Sequence, residues 1–294
     1  MVSSAVFREF VRTRIADLDL FHAPDVAAEA VLAAIERHRE NDRRGREACD
    51  HWGPAASVSR VSLGAIDVAV KWCRWRGPRG ACSDRIFGSR AARALAGARR
   101  LAVTDVATPE PYAIAERRRF GFPVESFLVT RYLGNASPLP AVLPEIATQP
   151  TRRRALADAL GDLVGELHAT GVDHADFKHS NLLVADAGGL LLVDLDSLVP
   201  ARRPTWRRRV RALGQLEAYA TDLYPWLPRT DRARFLRAYF ARNPELLAKR
   251  GALVADVRRW VEVRLAEWSK KDRSGHIVYP LAPRGGAPPA SRRE

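Results

Sequence analysis

From Ala56 onward, apolar and polar positions alternate with the period of two that is typical of a β-strand, and the alternation continues to Leu63. Gly64 separates this run from a second extended run at residues 66–72. The pattern therefore predicts a β-hairpin that turns near Gly64.

The segments around this hairpin predict one further helix and two further strands. Upstream, residues 27–39 have the apolar spacing of a helix. Downstream, residues 83–101 are rich in alanine and arginine and favour one helix, which the prolines of residues 108–111 bring to an end. Short apolar runs at 112–115 and 127–131 predict strands.

The second half of the chain has a different pattern. A long amphipathic helix is predicted to be capped by Thr151 and to stop at Gly171. Two brief strands follow, at 182–184 and 190–193. Residues 206–268 then favour several helices.

A half rich in strands followed by a half rich in helices predicts an α+β fold with two lobes and a cleft between them. We expect an N-terminal helical extension at 1–55, a sheet lobe with one helix at 56–133, and a mainly helical lobe at 134–282. The linker between the lobes would lie at about 132–144, and residues 283–294 have the composition of a disordered tail.

Composition excludes several classes of protein. No run of about 18 uncharged apolar residues occurs, so a transmembrane helix is not expected. Arg8 and Glu9 interrupt the first ten residues, which argues against a secretory signal peptide. The three cysteines, Cys49, Cys73 and Cys82, form no paired pattern and favour a reducing compartment. We therefore expect a cytoplasmic protein.

The net charge of +14 and the pI of about 10.6 favour an anionic partner, such as nucleic acid, lipid head groups or phosphorylated sugars. Arginine and alanine are both abundant, so part of the excess is also consistent with coding bias. No nucleic-acid recognition motif is present, which argues against a nucleic-acid partner.

The candidate chemistry is concentrated between residues 173 and 196. The predicted helix is followed by a polar loop that contains Asp176, Lys178 and Asn181, and the next strand follows directly. A hairpin of the predicted length would return Asp194 to the neighbourhood of Asn181. Carboxylate and amide oxygens gathered in this way suit magnesium, which also retains waters and substrate phosphates as ligands.

The residues His174, Asp176, Lys178 and Asn181 resemble the His-x-Asp-x-Lys-x-x-Asn catalytic loop of protein kinases. Asp194 stands where the metal-binding Asp of the Asp-Phe-Gly motif would be. Upstream, the Val-Ala-Val-Lys sequence at 68–71 resembles the kinase strand whose lysine holds the α- and β-phosphates of ATP.

The resemblance implies a protein-kinase-like fold, with ATP and magnesium. It implies that Asp176 is the general base and that Lys178 neutralises the transferring phosphoryl group. Asn181 and Asp194 would bind the magnesium ion, and Lys71 would bind the nucleotide phosphates.

The chain also departs from the protein-kinase pattern. No Gly-x-Gly-x-x-Gly loop is present, so Gly64, between the first two predicted strands, is the candidate phosphate neighbour. The predicted helix lacks the glutamate that would pair with Lys71 and contains only Asp84 as an acid. Lys71 would pair with Asp84, with a residue elsewhere, or with none. Asp196 replaces the Asp-Phe-Gly glycine and is either a second metal ligand or an exposed turn residue.

Over about residues 58–240 the chain resembles the lipopolysaccharide core kinases, which phosphorylate heptose or Kdo. The resemblance rests on the catalytic segment and on residues 89–111, 129–133 and 231–239. It implies a sugar acceptor, and the net charge of +14 without a membrane span suits an anionic glycolipid and a peripheral position on the inner membrane. A protein or small-molecule kinase of the same fold, and a pseudokinase that acts as a binding or scaffolding module, remain the alternatives.

Overall fold

The computed structural model of the chain describes residues 9–200 and 203–270, so the tail predicted to be disordered lies outside the described residues. The elements of the first half, in order, are β1 (Val11–Ile15), β2 (Leu18–His22), α1 (Ala28–Arg44), β3 (His51–Trp52), β4 (Ala56–Leu63), β5 (Ile66–Arg74), α2 (Gly77–Phe87), α3 (Arg90–Leu101), β6 (Pro111–Arg119) and β7 (Phe122–Arg131). Those of the second half are β8 (Ala136–Pro138), α4 (Leu139–Glu145), α5 (Pro150–Ala169), β9 (Val172–His174), β10 (Leu182–Ala185), β11 (Leu190–Leu192), β12 (Leu198–Pro200), α6 (Trp206–Leu223), α7 (Arg229–Arg242) and α8 (Arg250–Lys270).

The first half forms a seven-stranded antiparallel sheet with the strand order β1-β2-β6-β7-β5-β4-β3. The predicted β4–β5 hairpin is present, and Gly64 adopts φ +62° in its turn, a conformation that favours glycine. Apolar side chains on one face of the sheet, among them Val68 and Val129, pack in one cluster with Val31 of α1, and all three are 0% exposed. The burial of this face holds the sheet lobe together.

The predicted helical extension at 1–55 is wrong for residues 11–22. These residues form the β1–β2 hairpin, which extends the sheet beyond β6. Leu18 and Leu20 alternate with Asp19 and are fully buried in the sheet lobe. The five residues of β2 thus have the period of two of a strand, which makes this segment part of the sheet rather than a helix. Only α1 confirms the helical spacing that the sequence has in this region.

The single helix predicted at 83–101 is two helices in the structure. Gly88, at φ +85°, ends α2, and the Ser89 hydroxyl accepts a hydrogen bond from Ala92 N at 3.1 Å to cap α3. The sheet lobe therefore packs against three helices rather than one. The break matters because it places Arg90 at the first turn of α3, facing the cleft.

The helical lobe is built around α5, which packs against α7, while α6 packs against α8. The predicted cap Thr151 lies inside α5; Gln149 precedes the helix and Pro150 is its first residue, a position that tolerates proline because no N–H is needed there. Gly171, at φ +78°, follows the helix as predicted.

A buried polar network fixes the end of α5, from which the chain continues into the polar loop that contains Asp176. His168 Nδ1 lies 3.0 Å from the Tyr239 hydroxyl, and Arg209 donates to the same hydroxyl at 2.9 Å and to Asn243 Oδ1 at 2.7 Å. Burial lowers the pKa of His168 to about 3, so the imidazole is neutral at physiological pH. Because these residues belong to α5, α6 and α7, the network sets how those helices meet.

Short strands connect the lobes and carry the polar loop. β8, β10 and β11 form one small sheet, and β9 pairs with β12 in another. At the linker, Tyr132 N donates to Asp67 O at 3.0 Å, which ties the chain leaving the large sheet to the start of β5. No helix within the described residues is long and apolar enough to cross a membrane.

The contact between α5 and α7 gives a test of the helical lobe. A Cβ at Gly161 would collide with the Phe235 carbonyl oxygen, so Gly161→Ala must push the two helices apart. We expect a loss of about 1–3 kcal/mol in the free energy of unfolding, measured by urea denaturation. Gly251→Ala is the matched control, because a Cβ there meets no atom within 4 Å. It should leave stability unchanged or raise it by up to about 1 kcal/mol. Equal effects of the two substitutions would contradict this packing.

Candidate active site

The β10–β11 hairpin brings Asn181 and Asp194 to one place, as its length predicts. Leu182 pairs with Leu192 in the hairpin. Beyond this pair, Val193 N donates to Asn181 O at 2.9 Å. The two candidate metal ligands are therefore held at the open end of a short antiparallel ladder, and Lys71 approaches them from β5 on the other side of the cleft.

Lys71 and Asp194 form an ion pair across the cleft, in which Lys71 Nζ donates to Asp194 Oδ1. Burial would lower the pKa of Lys71, but the nearby carboxylates of Asp194 and Asp196 raise it above its ordinary value. Burial likewise opposes the charge of Asp194, yet Lys71 holds the pKa of that carboxyl well below its usual range. Both groups are charged at neutral pH.

This ion pair identifies the partner of Lys71, for which the sequence left three possibilities: Asp84, a residue elsewhere, or no partner. Asp84 accepts instead from Arg93 Nη1 at 2.9 Å and lies 3.3 Å from Arg76 Nη2. The partner is thus the candidate metal ligand Asp194 itself, from the other lobe.

Asp194 has an unusual backbone conformation, with φ +64° and ψ +44°. Residues other than glycine, asparagine and aspartate rarely adopt this left-handed backbone conformation. The conformation turns the chain from β11 into the 3-10 turn Leu195–Ser197. Residues held in this way often occur at functional sites, because the surrounding structure fixes the direction of the side chain.

Asp196 is not an exposed turn residue. Its side chain is only 7% exposed, and its Oδ2 accepts a hydrogen bond from Arg90 Nε of α3. Arg93 Nε donates to Asp196 O at 3.3 Å, and Arg90 Nη1 donates to Ala55 O at 3.2 Å. Helix α3 therefore contacts the Asp194 turn through Arg90 and Arg93. In the protein-kinase pattern, the corresponding helix instead supplies a glutamate that pairs with the lysine.

Two ion pairs cross the cleft: Lys71 pairs with Asp194, and Arg90 pairs with Asp196. Asp196 Oδ1 is buried without a hydrogen-bond donor among the residues the structure describes. A cation near this oxygen would compensate its burial.

Magnesium fits this donor set. The Asn181 amide and the Asp194 and Asp196 carboxylates are hard oxygen ligands, and magnesium takes few protein ligands when substrate phosphates supply others. Among residues 9–200 and 203–270, no group of three or more His, Cys, Asp or Glu side chains could hold a metal.

The polar loop holds Asp176 beside Lys178 at the cleft surface. Lys178 Nζ lies 2.5 Å from Asp176 Oδ2, and the Asp176 side chain is 42% exposed. Asn181 Nδ2 donates to Asp176 O at 3.0 Å, which fixes the loop and leaves the amide oxygen of Asn181 as its acceptor end. Asp176 is thus accessible to a substrate while its backbone is held in place.

Two buried residues support the loop from below. His174 Nδ1 accepts from Asp176 N at 3.3 Å, and burial lowers the pKa of His174, which suits a neutral structural imidazole. Asp173 is only 5% exposed; burial raises its pKa, and Arg208 at 3.6 Å opposes that shift. β9 therefore enters the protein interior instead of running along the surface.

The structure does not bring Gly64 to these residues. Gly64 lies at the far end of β5 from Lys71, roughly 23 Å away at the usual strand rise of about 3.3 Å per residue. The prediction that Gly64 is a phosphate neighbour is therefore wrong, because it assumed that the first hairpin after Ala56 was the phosphate-covering one.

The turn that does lie over the site is between β3 and β4, at residues 53–56. His51, Val58 and Lys71 are in register across three neighbouring strands, so their side chains share the cleft face of the sheet. Gly53 N donates to Ala56 O at 3.0 Å, which closes the turn. The Gly-Pro pair at 53–54 was the signal in the sequence for this turn. The strand before it, β3, has only two residues and is too short to show a period of two.

The chain is similar in sequence to known proteins. The sequence profile described as the Lipopolysaccharide kinase (Kdo/WaaP) family matches residues 85–239, just over half of the chain. The chain is 29% identical over 273 residues to the lipopolysaccharide core heptose(I) kinase WaaP of Pseudomonas aeruginosa, covering 87% of this chain and 94% of that protein.

A solved structure of WaaP in complex with acyl carrier protein has a similar fold. The TM-score is 0.57 at 24% identity, and the match covers 81% of this chain and 96% of that one. The predicted α+β, protein-kinase-like fold is confirmed, as is the resemblance to the lipopolysaccharide core kinases.

The Arg90–Asp196 contact predicts energetic coupling between α3 and the Asp194 turn. Arg90→Gln and Asp196→Asn should each lower the free energy of unfolding by about 3–5 kcal/mol, because each leaves a buried group without its partner. The double variant should lose less than the sum of the two, with a coupling of about 0.5–3 kcal/mol in urea denaturation. Arg100→Gln, at an exposed position of the same helix, is the control and should change little. Strict additivity of the Arg90 and Asp196 substitutions would show that the contact is not energetically significant.

Proposed function

The chain belongs to the lipopolysaccharide kinase (Kdo/WaaP) family, and on that premise we propose that it transfers the γ-phosphoryl group of ATP to a hydroxyl group of a lipopolysaccharide inner-core sugar, heptose or Kdo. The observation that carries the proposal is the meeting of Lys71, Asp194 and Asn181 in one cleft, with Asp176 at its surface. These are the groups that phosphoryl transfer from a nucleotide requires, since its catalysis consists mainly of positioning and charge stabilisation.

The nucleotide phosphates would lie between Lys71 and the turn at 53–56. Lys71 is charged and held by Asp194, so a phosphate oxygen can replace the carboxylate as its partner without any proton transfer. Arg90 adds a second cation beneath the turn through its contact with Ala55 O. Together they place positive charge where the β- and γ-phosphates would be bound.

Asn181 and Asp194 would hold magnesium, with Asp196 as a third oxygen ligand. Magnesium, when bound, neutralises charge on the phosphate oxygens. Once Lys71 contacts phosphate, both oxygens of Asp194 are available as ligands. The buried Oδ1 of Asp196 supports this assignment, because it has no donor among the described residues.

Asp176 would accept the proton of the acceptor hydroxyl, and Lys178 would stabilise the transferring phosphoryl group. Lys178 contacts the Asp176 carboxylate directly, so both groups can reach one acceptor oxygen. Their partial exposure suits an acceptor that is larger than the cleft, such as a sugar of an extended glycan.

The family membership favours a sugar acceptor over the alternatives of a protein or small-molecule kinase. The pseudokinase alternative rested on the missing helix glutamate. The Arg90–Asp196 contact weakens it, because α3 is linked to the metal-binding turn by a different pair.

The acceptor would be an anionic glycolipid at the cytoplasmic face of the inner membrane, where this chain would be a peripheral protein. The net charge of +14 supports this location. Each basic residue near an anionic surface contributes about 1 kcal/mol to association.

Asp176→Asn should slow phosphoryl transfer by about 10² to 10⁴-fold while leaving ATP affinity and folding nearly unchanged, because only the general base is lost. The measurement is phosphate transfer from radiolabelled ATP to purified lipopolysaccharide, a protein substrate and small sugars. Asp186→Asn, at an exposed acid of the β10–β11 turn, is the matched control and should keep full activity. A preference for the protein substrate would favour the protein-kinase alternative. Wild-type activity of Asp176→Asn would remove the assigned base.

Asp194→Ala should lose the dependence of ATP binding on magnesium, because the ion would lose its main charged ligand. Calorimetry with ATP, in the presence and absence of magnesium, measures this directly and needs no acceptor. Asp186→Ala should retain the magnesium dependence. An undiminished effect of magnesium in Asp194→Ala would exclude Asp194 from the metal site.

A further inference from the structure

Three large apolar side chains are exposed together at one end of the sheet lobe. Ile86 is 73% exposed and Phe87 is 69% exposed, both in the last turn of α2. Phe120, in the turn between β6 and β7, is 85% exposed. We call these residues, with the arginines around them, the apolar tip.

The two segments of the tip are direct neighbours. Helix α2 packs against β7, and the Arg85 guanidinium lies 5.0 Å from the centre of the Phe122 ring. A Cβ at Gly121 would collide with the same guanidinium. Arg85 therefore joins the end of α2 to the β6–β7 turn, and the exposed side chains form one patch.

The turn places an aromatic residue where backbone conformation disfavours it. Phe120 has φ +52° and Gly121 has φ +77°, the two positive values of a hairpin turn that normally selects asparagine, aspartate or glycine. A bulky residue in this region is an uncommon and unfavourable choice. Since Phe120 is almost fully exposed, packing within the protein does not account for it.

Arginines surround the apolar side chains. The segments 85–87 and 117–121 contain four arginines and no acid. Arg117 and Arg118 pair with the buried Glu125 and Glu116, at 2.7 and 2.6 Å. Arg85 and Arg119 have no acidic partner within the described part of the chain and lie over aromatic rings instead.

This combination fits the head-group region of an anionic bilayer. Exposed apolar groups beside cations bind such interfaces, because the apolar groups enter the acyl boundary while the cations stay at the phosphates. The apolar groups project from a helix end and a hairpin turn, a convex shape that suits a deformable lipid surface.

The tip lies at the same end of the sheet as the turn over the cleft. Arg74 pairs with Glu125 in the sheet, and Arg74 N donates to Ala55 O at 3.2 Å, which sets the level of the 53–56 turn. β7 begins at Phe122, so the β6–β7 hairpin extends roughly 10 Å beyond that level at about 3.3 Å per residue.

We propose that the apolar tip inserts into the head-group region of an anionic membrane and docks the sheet lobe there, with the cleft opening toward the lipid surface. The orientation is useful because of the proposed action on a glycolipid, and to that extent it rests on the proposed function. The docking itself requires only the tip.

The test measures binding of the full chain to sucrose-loaded vesicles of phosphatidylethanolamine with 0% or about 30% phosphatidylglycerol. Wild type should bind the anionic vesicles, and binding should weaken with salt. The triple variant Ile86→Ser, Phe87→Ser, Phe120→Ser should bind at least about 10-fold more weakly, since each buried CH₂ contributes to such binding. Its thermal unfolding should be unchanged because these side chains are exposed.

The matched control removes three exposed apolar side chains elsewhere, in the variant Val103→Ser, Leu247→Ser, Val263→Ser. It should bind vesicles like wild type. An equal loss in both variants, wild-type binding by the tip variant, or no binding of wild type to anionic vesicles would each overturn the proposal. Capture of wild type by a soluble acidic polypeptide, with no binding to vesicles, would overturn it in favour of a protein partner.

Cys82 provides a second measurement, because it is the exposed cysteine of α2, one helical turn before Ile86, whereas Cys73 is buried. In a Cys49→Ser background, a polarity-sensitive fluorophore on Cys82 should shift to the blue with anionic vesicles and be quenched by brominated lipid. No shift in the presence of bound vesicles would overturn insertion at this tip.

The docking and the proposed function can fail separately. Tip-dependent vesicle binding, without phosphate transfer to any acceptor, would support the docking and contradict the function. Transfer to a deacylated, soluble core oligosaccharide should be equal in wild type and in the tip variant. A loss of transfer on this soluble acceptor would contradict a role confined to membrane docking.

Discussion

The ion pair between Lys71 and Asp194 is the interaction on which the arrangement of the cleft depends. It joins the large sheet to the β10–β11 hairpin, and so it connects the two lobes where catalysis would take place. Lys71 and Asp194 are partly buried and stabilise each other's charge, because desolvation disfavours either charge alone. The neighbouring Arg90–Asp196 ion pair joins helix α3 to the Asp194 turn in the same way.

The two pairs explain how a kinase-like cleft can be built without a helix glutamate. In the resemblance drawn from sequence, the lysine needs an acid from the helix. Here the acids belong to the Asp194 turn, and the helix supplies the cation Arg90. The consequence is that two carboxylates of one turn pair with two cations of the sheet lobe.

The large positive charge of the chain serves more than one purpose. Many arginines form polar contacts within the fold. In the helical lobe, Arg209 donates to Asn243 and Arg153 pairs with Asp231. Others, such as Arg85 and Arg119, lie over aromatic rings at the surface without an acidic partner among the described residues. Net charge alone therefore says little about partners, whereas the position of the uncompensated arginines indicates a specific surface.

The sequence by itself determined the fold class, the β4–β5 hairpin, and the grouping of Asp176, Asn181 and Asp194, because all of these follow from local period and short loops. Tertiary structure alone decided that residues 11–22 join the sheet, since a five-residue strand is specified by the edge it pairs with. It also decided the partners of Lys71 and Asp196, and it placed residues 53–56 rather than Gly64 over the cleft. These contacts join residues up to 123 positions apart, and no local pattern encodes which distant charge a buried side chain will meet.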